Sequence, residues 1–256
     1  MRYKSLPPRM RMLVLLFLAL GALYAKAAER PNILFFFTDD ESWLERSAYG
    51  WSALPTPAFD RVARQGVLFT NAFTSAPSCA PSRASILTGR NFWELKQGAF
   101  IQAYLPSEFP IFTKLLKESG YHVGNTAKVW GPGVVNEDSH DVFSGTAYNS
   151  ARVSHPTPEM SPYDYAANFE TFLQDRKPEQ PFFFWAGINE PHGPWGKENY
   201  FLLEKECGMT LDQIPLPPYL EDNEANRIAR ANILYEIVYA DRQLGRMLQH
   251  LESVGE

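Results

Sequence analysis

The 256-residue sequence predicts an α/β fold with a mostly parallel central sheet flanked by helices. Three observations lead there. Apolar runs of strand length alternate with segments of helical spacing bounded by Pro, Gly and Ser. The runs Asn32–Thr38 and Pro181–Gly187 are continuously apolar, as strands covered on both faces are. Polar residues then follow the strands directly, at Asp39-Asp40, Lys128 and His192, and that edge is where open α/β sheets gather ligand sites.

Taken in order, the chain opens on a segment outside this pattern. Arg2, Lys4, Arg9 and Arg11 precede the apolar run Met12–Tyr24, and Ala25-Lys26-Ala27 offers small residues for cleavage. Residues 1–27 therefore read as an export signal, too short for a comfortable membrane span, which places the mature chain in a periplasm, outside the cell or in a lysosomal-type lumen, with no stable membrane anchor. Residues 28–256 form one domain. Asn32–Thr38 is its central buried strand. Thr56 and Pro57 suit an N-cap and first turn for a helix over Ala58–Gln65, stopped at Gly66. Val67–Phe73 is the next strand candidate, running into a small-residue loop and a short helix that has Pro81 in its first turn and Gly89 at its end. Ile111–Ser119 has helical spacing before Gly120, and Tyr121–Thr126 is a strand. Residues 131–162 read as loop. Tyr163–Asp175 is a helix and Pro181–Gly187 a buried strand. Beyond Pro215-Leu216-Pro217-Pro218, Glu224–Ser253 is a long amphipathic helix whose apolar side carries Ile228, Leu234, Ile237, Leu244, Leu248 and Leu251.

Charge narrows the function classes. The formal net charge is −5, and loss of the five cations Arg2, Lys4, Arg9, Arg11 and Lys26 with residues 1–27 makes it −10. Long-range attraction to nucleic acid is thereby disfavoured, and an anionic substrate has to be drawn in by local charge. Two cysteines, Cys79 and Cys207, make no disulfide framework, although a bridge between them is the structural alternative to a reactive Cys79. A G-x-S-x-G elbow, a G-x-G-x-x-G fingerprint and a P-loop are all absent from the sequence.

Cys79 stands just ahead of a helix start, where unpaired N–H groups favour an anion, and Arg83 adds a planar cation four residues on. Asp39 and Asp40 repel one another, and a hard divalent cation relieves that; an acidic turn closing a strand is the plainer alternative. Lys128 is either a charge-stabilising group or a solvated lysine. His192, in Asn189-Glu190-Pro191-His192-Gly193-Pro194-Trp195, is either a proton donor or a turn histidine held by its prolines. His122, His140, His155 and His250 read as structural or solvated.

The run Cys79–Gly89 resembles the signature of the type I sulfatases in the alkaline phosphatase superfamily, Cys-x-Pro-Ser-Arg-x-x-x-Leu-Thr-Gly, at every fixed position. The resemblance implies a sulfatase-like fold and a Cys79 converted to formylglycine by a formylglycine-generating enzyme. It also implies a Ca2+ ion held by Asp39, Asp40 and residue 79. Arg83, Lys128 and His192 would act on the sulfate, and a sulfated glycan would be the substrate. Thr38-Asp39-Asp40 with Ala48-Tyr49-Gly50, Phe69–Ser85 and Glu190-Pro191-His192 resemble the sulfamidase-like members most, which act on N-sulfoglucosamine in heparan-type glycans. Two departures stand out. Ala127-Lys128 occupies the place of the family's usual Gly-Lys, and Val129-Trp130-Gly131 lacks the histidine often found two residues on. The family's further strand ending in Asp-Asn or Asp-His, and its smaller C-terminal sheet domain, do not occur before Glu256, so the expectation is an N-terminal part that is inactive alone. The alternatives are a phosphonate or phosphate ester hydrolase of the same superfamily, and a non-catalytic relic or glycan-binding module.

Overall fold

The computed structural model describes residues 30–51, 53–136, 145–155 and 157–256. The expected export signal and His140 lie outside the described residues. Asn32–Glu256 make one compact unit. Strands β1 (Ile33–Phe37), β2 (His122–Ala127), β3 (Thr146–Ala147) and β4 (Phe182–Gly187) form one sheet in the order β1-β4-β2-β3, every pair parallel. The helices are α1 (Pro57–Gln65), α2 (Cys79–Thr88), α3 (Phe112–Glu118), α4 (Tyr165–Gln174), α5 (Asn199–Cys207) and α6 (Glu224–Ser253).

β4 shows why the fold closes. Its six residues are all buried, and their period-2 alternation feeds two cores. Phe183 and Trp185 pack with Ala84 and Leu87 of α2 and with Leu105 and Ile111 on one face. Phe182, Phe184 and Ala186 pack with Phe169 and Phe172 of α4 and Ala240 and Met247 of α6 on the other. A third cluster joins α5 to α6 through Leu203, Leu234 and Ile237. Two helix starts carry a side-chain cap: Asp164 accepts from Ala167 N at 3.1 Å for α4, and Asn223 accepts from Asn226 N at 2.9 Å for α6, whereas Thr56, the expected cap of α1, makes no such bond.

Three expectations change. Asn32–Thr38 is a strand but not the central one: β1 is half-buried at the sheet's edge among the described strands, and β4 is central. Val67–Phe73 pairs with no described strand and leaves Val67, Phe69 and Phe73 largely exposed, because β propensity needs a partner to become a ladder. Cys79 is the first residue of α2, with Ser78 as N-cap, rather than lying ahead of the helix. Helix α5 had no sequence-based expectation at all. Among the described residues no helix is long and apolar enough to cross a membrane.

Candidate active site

Register at the carboxyl edge of the sheet assembles the site. Ile188 N donates to Phe37 O at 2.9 Å, Lys128 N to Gly187 O at 2.9 Å, and Asp39 N to Glu190 O at 3.3 Å. The ends of β1, β2 and β4 are thus tied side by side, and α2 sets residue 79 against them. Gly187 is required there: a Cβ on it would lie 1.9 Å from Lys128 O.

All six expected residues meet at this edge. Lys128 Nζ bonds Asp39 Oδ2 and lies 3.6 Å from Cys79 Sγ. Arg83 Nη2 donates to Asp39 Oδ1 at 3.3 Å. His192 Nε2 is 3.6 Å from Asp40 Oδ2. Ligating atoms of Asp39, Cys79 and His192 all lie within 4.8 Å of one another, which adds His192 to the residues able to hold a cation. Both cysteines are free, so no bridge to Cys207 blocks residue 79.

Each side chain has a distinct environment. Asp39 is buried between two cations, whereas the side chain of Asp40 is 62% exposed. Arg83 is 1% exposed. Its Nη1 donates to Lys128 O at 2.6 Å, and its plane lies over the Phe37 ring. Burial pushes the Arg83 pKa down, and the Asp39 carboxylate draws it back. Its terminal nitrogens are therefore committed to holding Asp39 and the Lys128 turn, while Nε remains buried without a partner. His192 Nδ1 lies 2.6 Å from Gly193 O. A carbonyl only accepts, so Nδ1 carries the proton and Nε2 faces Asp40.

Two backbone positions bear on the ligand turn and on Lys128. Asp40 has φ 59° and Ala127 φ 56°, both left-handed. Aspartate tolerates that region. Alanine does so at a cost of about 1–2 kcal/mol.

Two cavities open on the site and share Asp39. One, of about 1060 Å³, is lined by Asp40, Glu41, Cys79, Arg83 and Arg90 among others. The other, of about 540 Å³, is lined by Lys128, His192, Glu159, Glu190 and Glu236 among others. Sequence reading singled out neither buried glutamate. Glu190 accepts from Tyr165 Oη at 2.6 Å and Ser161 N at 3.0 Å, and burial raises its pKa against those bonds. Glu236 accepts from Gly196 N and Asn199 Nδ2, each at 3.0 Å. Burial pushes its pKa up to about 8, with the Gly196 bond opposing and Glu190 adding to the rise. The two carboxyls brace the segment that carries His192 from both ends. The sole sequence clue to Glu236 is an acid among apolar neighbours on the inner face of a long helix.

Residues 31–256 match the profile of the sulfatase family. The chain belongs to the sulfatase family. Within it, the chain is 33% identical over 172 residues to an ulvan-active sulfatase of Formosa agariphila, an alignment covering 66% of this chain and 32% of the relative. The fold is shared with a protein solved in complex with its substrate D-glucosamine-2-N,6-O-disulfate, at TM-score 0.61 and 17% identity, over 89% of this chain and 63% of that one. It is shared too with the phosphonate monoester hydrolase of Agrobacterium radiobacter, at TM-score 0.58 and 18% identity, over 88% and 60%. This sulfatase-family chain thus spans less than two thirds of each.

Proposed function

We propose that this chain supplies the nucleophile-bearing part of a hydrolase that cleaves sulfate esters or sulfamates from a sulfated glycan. The observation that carries the reading is the convergence of Asp39, Cys79, Lys128 and His192, from three strand ends and one helix start, around a few ångströms of space. The ulvan-active relative and the glucosamine-disulfate neighbour support a polyanionic glycan. An N-sulfated glucosamine is the favoured unit, because Glu190-Pro191-His192 resembles the sulfamidase-like members.

The donor set fits a hard cation in part. Asp39 and Asp40 offer carboxylate oxygens, and Cys79 Sγ is a soft donor that Ca2+ does not favour. Formylglycine at position 79 would present oxygen instead, so that Asp39, Asp40 and residue 79 would supply part of the oxygen set that Ca2+ takes. When bound, such a cation would polarise a sulfate oxygen, and the modified residue would supply a hydroxyl nucleophile. The remaining work falls to the chain's own side chains. Lys128, at 3.6 Å from Sγ, is placed to hold a sulfate oxygen where negative charge grows. Arg83 fixes Asp39 in the orientation that faces residue 79. His192, its Nδ1–H anchored to Gly193 O, would in its imidazolium form carry a second proton on Nε2, which passes to the leaving oxygen or nitrogen and leaves the neutral ring.

The experiment is co-production with a formylglycine-generating enzyme. Hydrazide labelling of residue 79 then precedes turnover of matched sulfate and phosphonate monoesters. An aldehyde at residue 79 and faster sulfate release support the reading. Faster phosphonate turnover transfers the site to the reaction of the Agrobacterium radiobacter neighbour, and an unconverted thiol beside a converted control sulfatase sinks the catalytic reading.

A further inference from the structure

Asp39, Asp40 and Glu41 are three consecutive carboxylates, and the structure sorts them into three environments. Asp39 is held by Arg83 and Lys128, and Asp40 is open to solvent in a left-handed turn. Glu41 lies at the wall of the larger cavity, yet its side chain is only 9% exposed. Both its oxygens are taken by one guanidinium. Arg46 Nη2 donates to Oε2 at 2.7 Å, and Nε donates to Oε1. Arg46 is buried as well, and its remaining nitrogen Nη1 donates to Asp241 Oδ1 of α6 at 3.1 Å. Asp241 in turn accepts from Ala58 N at 3.0 Å and Phe59 N at 2.9 Å, capping α1. The residue that follows the expected ligand pair is therefore bolted to two helices.

We propose that Arg46 is a positioning residue for the cation-binding turn: its two-pronged grip on Glu41 sets the backbone that aims Asp39 and Asp40 at a divalent cation. The proposal rests on the reading of Asp39 and Asp40 as cation ligands. A planar fork matched to a carboxylate fixes both distance and plane, whereas an ammonium would fix neither. The grip also occupies both oxygens of the third carboxylate in the run, which leaves Asp39 and Asp40 as the carboxylates facing residue 79 and His192.

The test is calcium titration of the chain by calorimetry, with terbium luminescence as a second readout and thermal unfolding recorded on each variant. Arg46→Lys keeps the charge and removes the fork. Glu41→Gln weakens the same contact from the other side. Both are expected to lower Ca2+ affinity by about tenfold, the usual loss when a group that orients a metal ligand is altered. The double variant is expected to lose little more than the worse single, as residues acting through one contact do. Asp241→Asn breaks the other arm of the network and is expected to lower the thermal midpoint with Ca2+ affinity unchanged. Unchanged affinity in Arg46→Lys overturns the proposal, and so do equal losses in Arg46→Lys and Asp241→Asn that track their midpoints. A wild-type chain with no saturable calcium site overturns the cation reading itself and this proposal with it.

Discussion

Replacing Glu236 by Gln is expected to flatten the pH dependence of stability across the neutral range. The Glu236 carboxyl is buried, and its pKa stands at about 8 in the folded chain against 4.5 for an ordinary glutamate. Between those values the unfolded chain has released the proton and the folded chain still holds it. Stability therefore falls as pH rises, by about 1.4 kcal/mol per pH unit. From pH 4.5 to pH 7 the loss amounts to as much as ~3 kcal/mol, and it stops growing above pH 8. Glutamine keeps an acceptor for Gly196 N and Asn199 Nδ2 but cannot ionise. Wild type and variant should match near pH 4.5, and the variant should be the more stable by a few kcal/mol at pH 8. Urea unfolding at half-unit intervals from pH 4.5 to pH 8.5, with a chelator present, reads the difference. Parallel pH curves for the two proteins would refute the reasoning, since they would mean that Glu236 is ionised in the folded state.

Three further outcomes rest on single contacts. Ala127→Gly relieves about 1–2 kcal/mol of left-handed strain while adding ~0.4–1 kcal/mol of unfolded-state entropy, so a net gain of about 0.5 kcal/mol in urea unfolding is expected; a loss would show that Ala127 is unstrained. Arg83→Met leaves the buried Asp39 carboxylate with Lys128 alone and should cost about 3 kcal/mol in the same assay, with no cost meaning that the buried pair contributes nothing. Lys128→Ala should lower kcat of the matured protein by about a hundredfold with a smaller change in KM, as removal of a charge-stabilising donor does. A rise in KM alone would make Lys128 a ground-state binder.

Sequence legibility followed how local each signal is. The chain order of strands and helices was readable because β4 is six apolar residues in a row and α6 keeps helical spacing for thirty residues. The meeting of Asp39, Lys128 and His192 at one edge was readable because each follows an apolar run of strand length, and the ends of parallel strands lie along one edge of a sheet. The position of β1 at the edge was not, since apolar content reports burial of side chains and says nothing of which neighbour pairs. Val67–Phe73 has the composition of a strand but lacks a described partner. Helix α5 has only nine residues and two that are buried, too few for a periodic signal. The contacts of Glu190 and Glu236 stayed hidden because a buried acid looks like any surface acid until its donors, many residues away in sequence, are in place.

The central claim is that these side chains form a sulfate-cleaving centre that needs a cation at Asp39 and Asp40 and a modified residue at 79. The most direct measurement is inorganic sulfate released from a sulfated oligosaccharide by the matured full-length protein that carries this chain, by ion chromatography, with Ca2+ and with chelator. Wild type and Cys79→Ala are compared side by side. The account predicts sulfate release that disappears with chelator and with Cys79→Ala. Release that persists in Cys79→Ala, or that is indifferent to chelator, would contradict it.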